Sequence, residues 1–122
     1  MNANWVSNIL NSQERAPNSS KRMGILDIGS NSIRLVVYED SARVPLPLFN
    51  EKVLCGLGSE IRQTGSLSEL GCSLAVANIA RFTELARQMQ LSSLEVIATA
   101  ALRDASNGTA FVRKLKHQFG FP

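Results

Sequence analysis

The sequence has few of the residues that build disulfide, metal or nucleic-acid sites. It contains two cysteines, one histidine and one tryptophan among 122 residues, and aromatic residues make up only 6%. Cys55 and Cys72 have no CxxC spacing and no histidine cluster beside them, so we expect reduced thiols in a cytoplasmic protein rather than a zinc site. No basic run interleaved with aromatic residues is present, and we therefore expect no nucleic-acid binding.

Long hydrophobic runs are missing as well. No apolar stretch approaches the roughly 20 residues of a membrane-spanning helix, so we expect neither a signal peptide nor membrane association. The residues that are present, 44% hydrophobic and 19% charged, are typical of a globular chain with the length of one domain. The net charge is +3 and the pI is about 9.2, which suits an anionic ligand.

The stretch from Gly24 to Tyr38 predicts a β-hairpin. Its first strand is apolar except for one carboxylate, Asp27, and it ends at Gly29, where the backbone can turn tightly. A second strand with alternating apolar residues follows. Backbone amides in the polar tip can hold a phosphate, and Asp27 can hold a cation. An ordinary turn rich in serine and asparagine is the alternative. The polar residues of the tip are Ser30, Asn31 and Ser32.

A second polar segment follows a predicted strand over Leu94–Ala98. A strand, a long helix and a returning strand imply a right-handed crossover and a parallel pair. The segment from Thr99 to Ala105 then lies at the carboxyl end of that strand, where open α/β sheets bind ligands. Arg103 there carries a planar, permanently charged guanidinium that can bind phosphate oxygens bidentately. An ion pair with Asp104 or another carboxylate is the alternative.

Two helices are predicted. The first is expected to begin at a capping box formed by Ser66 and Glu69 and to end near Gln90. The second is expected over Thr109–Gln118, with Asn107 as its cap. The apolar stripe of the first helix consists of Ala75, Ile79, Phe82, Ala86 and Met89. The basic residues of the second helix, which we expect to be solvated, are Arg113, Lys114 and Lys116.

The remaining segments predict the organisation of the chain. Residues 1–22 show no sustained period and predict a flexible tail, whereas residues 23–122 form the folded body. Two prolines in Val44–Phe49 favour an edge strand or an extended crossing, and the strand resumes over Asn50–Leu54. The glycine-rich segment from Cys55 to Gly65 lacks a dinucleotide fingerprint and predicts a loop near the site.

Two motifs resemble a known family. The segment Asp27–Tyr38, Asp-Ile-Gly-Ser-Asn-Ser-Ile-Arg-Leu-Val-Val-Tyr, is similar to the first phosphate motif of the exopolyphosphatase and guanosine-pentaphosphate phosphohydrolase (Ppx/GppA) family. Ile97–Asn107, with Ala-Thr-Ala-Ala-Leu-Arg-Asp-Ala, is similar to the next motif. The resemblance extends from about Met23 to the end. It implies an incomplete first lobe of a ribonuclease-H-like (actin-like) α/β domain, with a three-stranded antiparallel start followed by a helix, a parallel strand and a helix.

The resemblance also implies an activity and its residues. It implies a magnesium-dependent phosphohydrolase that removes terminal phosphates from inorganic polyphosphate or from guanosine penta- or tetraphosphate. Asp27 would hold Mg²⁺, directly or through water, and Arg34 is a further phosphate candidate that can equally serve the strand. The main phosphate-binding residues implied are Ser30, Asn31, Ser32 and Arg103.

Other properties of the family bear on the activity of this chain. Family members continue with a Gly-x-Glu-Glu-Ala motif that holds the general base and with a second phosphate motif, Asp-x-Gly-Gly-Gly-Ser. Neither occurs in this sequence, so we expect the general base beyond Pro122, no catalytic residue within the chain, and an inactive isolated chain. Because family members commonly pair, a homodimer is also implied. The alternatives are a sugar or acetate kinase of the same superfold and a non-catalytic phosphate-binding remnant.

Overall fold

The structure, a computed structural model, describes residues 21–39 and 47–122. Most of the predicted tail and the segment Val44–Leu46 therefore lie outside the described residues. Arg22, assigned to the tail, opens the first strand. The strands are β1 (Arg22–Ile28), β2 (Ser32–Glu39), β3 (Pro47–Leu54) and β4 (Ser93–Ala98). The helices are α1 (Ile61–Thr64), α2 (Glu69–Gln88), α3 (Ala100–Asp104) and α4 (Gly108–Phe119).

The strands form one sheet in the order β3-β2-β1-β4. β2 is antiparallel to both β1 and β3, and β4 lies parallel to β1. This topology confirms the predicted antiparallel start and the parallel return after a long helix. The parallel register, with Ile28 opposite Ala98, brings the carboxyl ends of β1 and β4 together. The hairpin tip and the start of α3 therefore lie at the same edge of the sheet.

Side-chain alternation gives the sheet two different faces. On one face Leu26, Ile28 and Leu35 are 0–1% exposed and belong to the same buried cluster as residues of α2 and α4. Full burial of each large apolar side chain contributes about 1.5–3 kcal/mol, so this face supplies much of the driving force for folding. On the opposite face, which we call the open face, Met23 and Ile97 are 43% and 49% exposed.

The helix α2 does not begin at the predicted capping box. Its N-cap is Ser68, whose Oγ accepts a hydrogen bond from the Gly71 N–H at 3.1 Å. The capping-box prediction was wrong because the Ser66 hydroxyl is engaged elsewhere, 2.5 Å from the Ser106 hydroxyl. The helix ends at Gln88, two residues before the predicted end. The predicted apolar stripe is confirmed, with Met89 partly buried and the other four members fully buried.

Asn107 occupies the N-cap position of α4 but its side chain does not cap the helix. Instead its Oδ1 accepts from the Leu67 N–H at 2.7 Å, and its Nδ2 donates to the Leu67 carbonyl at 3.3 Å. Leu67 is only 2% exposed, and buried backbone groups need partners. The predicted capping role was therefore wrong: the side chain ties the corner between α3 and α4 to the segment before α2.

Candidate functional site

The tip of the β1–β2 hairpin presents unused hydrogen-bond donors. The Gly29 N–H donates to the Ser32 carbonyl at 2.9 Å and closes the turn. Ser30 and Asn31 are exposed, and within the described residues neither their backbone N–H groups nor their side chains have a hydrogen-bond partner. Successive free amides in a turn form a concavity that binds anions. The tip can therefore accept phosphate oxygens without breaking an existing bond.

The carbonyl groups of the same tip are already occupied. The segment Cys55–Glu60, which we call the clamp loop, packs on the tip. The N–H groups of Cys55 and Gly56 both donate to the Asn31 carbonyl at 3.0 Å, and the Gly58 N–H donates to the Ser30 carbonyl at 2.6 Å. The first half of the predicted loop is therefore confirmed and lies against the tip, whereas residues Ile61–Thr64 of its second half form helix α1. The hydrogen bonds from the clamp loop occupy the Ser30 and Asn31 carbonyls, whereas the N–H groups of these two residues stay available to a ligand.

Asp27 lies on the open face, one residue before the end of β1. In the described part of the chain its carboxylate makes no ion pair or hydrogen bond. Its register partner on β2 is Arg34, but the Arg34 guanidinium donates to the Asn50 Oδ1 on β3 at 2.8 Å. Arg34 is thus held by the neighbouring strand, and its phosphate-binding role stays a prediction.

An unpaired carboxylate beside free amides suits a hard cation that also contacts phosphate. Mg²⁺ keeps several waters and uses one or two carboxylates together with substrate phosphates. Across residues 21–39 and 47–122 no group of three or more His, Cys, Asp or Glu side chains is placed to hold a metal. Asp27 with water and phosphate oxygens therefore matches the donor set of a magnesium–phosphate site, whereas an all-protein metal cage does not form among these residues.

The start of α3 is joined to the end of β1. The Thr99 N–H donates to the Ile28 carbonyl at 3.2 Å. The Thr99 Oγ1 is buried and has no hydrogen-bond partner within the described residues. A buried hydroxyl without a partner carries an uncompensated desolvation cost of about 1–3 kcal/mol. It is the one buried side-chain atom without a partner among the described residues.

Arg103 lies one helical turn beyond Thr99, to whose carbonyl its N–H donates at 3.3 Å. Its guanidinium forms no ion pair in the described part of the chain, so the alternative pairing with Asp104 is not observed. The side chain lines a cavity of about 330 Å³. The other residues that line this cavity, all from α4, are Thr109, Val112, Arg113 and Lys116. Asp27 and the tip residues thus share one end of the hairpin, whereas Arg103 lines a cavity that it forms with α4.

Sequence reasoning missed that α4 contributes to this cavity. Arg113 and Lys116 are exposed, as predicted, but they share the cavity with Arg103 instead of projecting separately into solvent. The spacing of these residues in the sequence could have indicated that they share one face of α4. Positions 109, 112, 113 and 116 follow the i, i+3, i+4, i+7 pattern of one helix face, and Lys114 falls outside it.

Pro122, beyond which the general base was predicted, lies close to this part of the molecule. It is exposed, and together with Phe121 and Lys116 it lines a second, smaller cavity of about 80 Å³ that reaches Ile28 at the end of β1. Pro122 has no titratable side chain and cannot itself act as a base. The place of the general base beyond Pro122 stays a prediction.

Comparison with known proteins identifies the chain. The model of the Ppx/GppA phosphatase family matches residues 36–122, which is most of the sequence. The chain belongs to the Ppx/GppA phosphatase family. The matched range begins inside β2, so the hairpin tip precedes it, whereas α3, α4 and the clamp loop lie within it. The match contains the second of the two motifs, Ile97–Asn107, and only Val36–Tyr38 of the first.

Individual relatives in this family are longer than the present chain. Exopolyphosphatase 1 of Mycobacterium tuberculosis is 27% identical over 100 residues, which cover 81% of this chain and 29% of that protein. Exopolyphosphatase 1 of Mycobacterium leprae is 27% identical over 101 residues, or 81% of this chain and 30% of that protein. The chain therefore spans about a third or less of the curated relatives it matches.

Solved structures of Ppx/GppA proteins show the same fold. A family member from Aquifex aeolicus has a TM-score of 0.79 at 23% identity, covering 84% of this chain and 34% of that one. An exopolyphosphatase from Cytophaga hutchinsonii has a TM-score of 0.75 at 24% identity, covering 83% and 32%. The partial actin-like α/β fold is thereby confirmed. Among the helices that the structure describes, none has the length and apolarity to cross a bilayer.

Both free thiols of this Ppx/GppA chain have a pKa above the ordinary value. Burial raises the pKa of Cys55, which lies in the clamp loop. Burial also raises the pKa of Cys72, although the charge of Lys114 opposes that shift. Since the thiolate is the nucleophile and the metal ligand, both cysteines are mainly protonated at neutral pH. Cys55 belongs to the hydrophobic core, and Cys72, on α2, packs against that core.

Proposed function

We propose that this chain forms the phosphate-holding part of a magnesium-dependent phosphohydrolase that removes terminal phosphates from inorganic polyphosphate or from guanosine penta- or tetraphosphate. The observation that carries the proposal is the hairpin tip, where the amides of Ser30 and Asn31 are free while the clamp loop occupies their carbonyls. Family membership and the exopolyphosphatase relatives support a phosphoanhydride substrate. They favour a phosphatase over a sugar or acetate kinase.

The proposed division of labour follows from the chemistry of phosphoryl transfer. Hydrolysis requires a positioned water, a base and neutralisation of the charge on the phosphoryl oxygens. The tip amides and Arg103 would bind phosphate oxygens, and Asp27 would hold Mg²⁺, which when bound would neutralise further charge. The sequence contains no Gly-x-Glu-Glu-Ala segment, where the resemblance implies the general base. We therefore propose that the isolated chain binds phosphate without hydrolysing it and that the base comes from beyond Pro122.

A cytoplasmic location and a homodimer complete the proposal. Two free cysteines support a reducing compartment, and the pairing habit of the family supports the dimer. Localisation of the tagged chain in its source cells and sedimentation of the purified chain would test these two parts separately. A periplasmic or secreted location, or a monomer at every concentration, would contradict them without bearing on phosphate binding.

The test of the binding site is calorimetric titration of the full chain with tripolyphosphate, with and without Mg²⁺. Asp27→Asn is expected to weaken magnesium-dependent binding by about tenfold or more, because the metal loses its charged ligand. The matched control is Glu95→Gln. Glu95 is exposed on the same face of the sheet, opposite Ile25 on β1, and its substitution should leave binding unchanged.

Two outcomes would contradict the proposal. Equal binding by the Asp27→Asn and Glu95→Gln variants would remove Asp27 from the site. Release of phosphate from polyphosphate by the wild-type chain, abolished by Asp27→Asn, would show that the chain carries its own base and is not only a binding element.

A further inference from the structure

The corner between α3 and α4 contains an asparagine directly followed by a glycine, Asn107 and Gly108. This pair is especially prone to deamidation, because glycine has no Cβ to hinder the attack of its own backbone nitrogen on the asparagine side chain. The fold makes use of both residues. A Cβ at position 108 would clash with the Leu102 carbonyl oxygen, and the Asn107 side chain holds the segment before α2. The packing of the corner therefore keeps a chemically labile pair in the chain.

Both polar atoms of the Asn107 amide are bonded to Leu67. Its Oδ1 accepts from the Leu67 N–H at 2.7 Å, and its Nδ2 donates to the Leu67 carbonyl at 3.3 Å. We call these two hydrogen bonds the corner tie. Ser106 reinforces it, since its N–H donates to the Gly65 carbonyl at 2.9 Å and its hydroxyl lies 2.5 Å from the Ser66 hydroxyl. The amide is therefore fixed by the segment before α2.

The backbone nitrogen that would attack the amide is held as well. The Gly108 N–H donates to the Ala105 carbonyl at 2.8 Å, so its proton is engaged. Ring closure also requires the Gly108 nitrogen to be eclipsed with the Asn107 Cβ. At the observed ψ of 10° for Asn107, the Gly108 nitrogen is instead nearly eclipsed with the Asn107 backbone nitrogen. Deamidation therefore requires the corner tie to open and the backbone to rotate.

The reaction itself requires only water as a co-reactant. In the opened corner the Gly108 nitrogen forms a bond to the Asn107 Cγ, and the side-chain nitrogen leaves as ammonia with the proton of the Gly108 N–H. The product is a cyclic succinimide. Water then adds its hydroxyl to one of the two ring carbonyl carbons and its proton to the ring nitrogen, and the bond between those two atoms breaks. Opening at Cγ gives aspartate, whereas opening at the backbone carbonyl gives isoaspartate.

Both products remove the corner tie. An ionised carboxylate only accepts hydrogen bonds, so the Leu67 carbonyl loses the donor that lies 3.3 Å away and faces a charged oxygen instead. Leu67 is 2% exposed, and a buried acceptor without a donor is destabilising. Isoaspartate also inserts an additional carbon into the main chain at the start of α4. A corner that has opened and reacted therefore cannot close as before.

We propose that Asn107 is a site of spontaneous deamidation that the corner tie protects, so that the modification accumulates in chains whose corner has opened. The rate in the folded chain is then the rate of the unfolded chain multiplied by the fraction of time for which the corner is open. Because α3 and α4 meet at this corner, the modified chain loses the contact that fixes both helices to the segment before α2. This inference does not depend on the proposed function.

The test follows the modification of the full chain at neutral pH, with and without denaturing urea. Trypsin cleaves after Arg103 and Arg113, and the peptide of residues 104–113 between them contains Asn107 as its single asparagine. Mass spectrometry of this peptide gives the modified fraction. We expect the unfolded chain to react at least about tenfold faster than the folded chain. Equal rates in the two conditions, or an unmodified peptide in urea, would overturn the inference.

Two conservative core variants separate the corner tie from the stability of the whole fold. Leu67→Val loosens the residue to which Asn107 is bonded, whereas Ile79→Val alters a buried side chain of α2 that makes no bond to the corner. We expect Leu67→Val to accelerate the modification by about two- to tenfold and Ile79→Val to leave its rate unchanged. Equal acceleration in both variants would show that Asn107 reacts only after global unfolding, and it would overturn the protective role of the tie.

Asn107→Asp reproduces one product and tests its consequence. It should lower the Tm by about 4–8 °C or more, because a buried acceptor loses its donor, and acidification should narrow the difference because a protonated carboxyl regains a donor. The matched control is Asn50→Asp. The exposed Asn50 accepts from Arg34 through its Oδ1 at 2.8 Å, and a carboxylate can do the same, so the Tm should not fall. An Asn107→Asp variant with the Tm of the wild type would contradict the loss of the corner tie on deamidation.

Discussion

At the scale of single residues, the candidate site depends on groups that have been left without partners. The carboxylate of Asp27, the amides of Ser30 and Asn31 and the buried hydroxyl of Thr99 are all unpaired in the described part of the chain. Most buried polar groups in folded proteins have a hydrogen-bond partner. The Thr99 hydroxyl is an exception to that rule, whereas Asp27, Ser30 and Asn31 are exposed and their free groups are open to a ligand as well as to water.

Gly58 is the residue on which the position of the clamp loop depends most. A Cβ at this position would lie 2.8 Å from the Ser30 Cβ and 3.3 Å from the Ser30 carbonyl oxygen. We expect Gly58→Ala to lower the stability by about 1–3 kcal/mol through overpacking, with a fall in Tm of about 4–8 °C per kcal/mol, and to weaken tripolyphosphate binding. Thermal melting and titration would measure both effects.

The control for this substitution is Ser59→Ala, an exposed neighbour in the same loop. It should change neither the Tm nor the affinity. If Gly58→Ala has the same Tm and the same affinity as Ser59→Ala, the clamp loop can shift to accommodate the added methyl group. The close contact with Ser30 would then not matter for the tip.

The tip could be predicted from sequence because its signal is local. A strand, one carboxylate, a glycine and three small polar residues occur within a single stretch, and Asp27, Ser30 and Asn31 are found together as expected. The cavity that Arg103 forms with α4 could not be predicted in the same way. Arg103 and Lys116 belong to different helices, and only the corner at Gly108 brings them together, where any Cβ would clash with the Leu102 carbonyl oxygen.

At the scale of secondary-structure elements, the helix starts show how tertiary contacts override local patterns. Ser66 and Glu69 match the capping-box spacing, and Asn107 is a favoured cap residue. Both side chains are instead used between segments, Ser66 with Ser106 and Asn107 with Leu67. A pattern confined to one helix contains no information on the segment packed beside it, and for that reason both cap predictions failed while the apolar stripe of α2 was confirmed.

The observed cap of α2 makes a quantitative prediction. Ser68→Ala should lower the free energy of unfolding by about 1 kcal/mol, because the Gly71 N–H loses its acceptor. Ser66→Ala is the matched control and should cost less than about 0.5 kcal/mol, as expected for a residue near the surface. Urea denaturation of the two variants would separate them. A larger loss of stability in Ser66→Ala than in Ser68→Ala would instead support the capping box predicted from the sequence.

The ion pair between β3 and α2 predicts a dependence of stability on pH. The Arg81 Nη1 donates to the Glu51 Oε1 at 3.2 Å, and this hydrogen bond lowers the pKa of Glu51 below its ordinary value of 4.5. A lowered pKa means that the unfolded chain binds the proton more readily. The stabilisation is therefore present above about pH 4.5 and is lost as the pH falls through the lowered pKa.

Unfolding measurements over this pH range would test the pair. Glu51→Gln should be less stable than the wild type at neutral pH and should lose less stability on acidification, so that the two curves converge at low pH. Because both side chains are partly exposed, high salt should narrow the gap. Stability curves that stay parallel from neutral to acid pH would show that Arg81 does not lower the pKa of Glu51 in the folded chain.

At the scale of the whole molecule, the described residues form two layers, with helices against one face of the sheet and the other face open. Asp27 lies on this open face, next to apolar neighbours such as Ile97, its register partner on β4. Exposed apolar surface of this kind promotes association. The same face that presents the carboxylate therefore also makes the chain prone to self-association.

Substitution of Ile97 tests this property. Ile97 is 49% exposed, so Ile97→Lys should leave the Tm nearly unchanged while it reduces the growth of scattering mass with protein concentration. Leu70→Lys is the control on the helical side, where Leu70 is 70% exposed, and it should scatter like the wild type. Identical concentration dependence in all three proteins would show that the open face takes no part in association.

The parallel pairing of β1 with β4 also affects the order in which parts of the chain can fold. The hydroxyl of Ser92, just before β4, donates a hydrogen bond to the Arg22 carbonyl, which is 70 residues away in the sequence. Pairings between distant segments form slowly, because a long loop must close first. During synthesis the first three strands can pair while β4 is still inside the ribosome. One edge of β1 is unpaired until β4 emerges. The hairpin tip can thus form early, whereas the hydrogen bond from Thr99 to Ile28 has to wait until the chain has been made as far as Thr99.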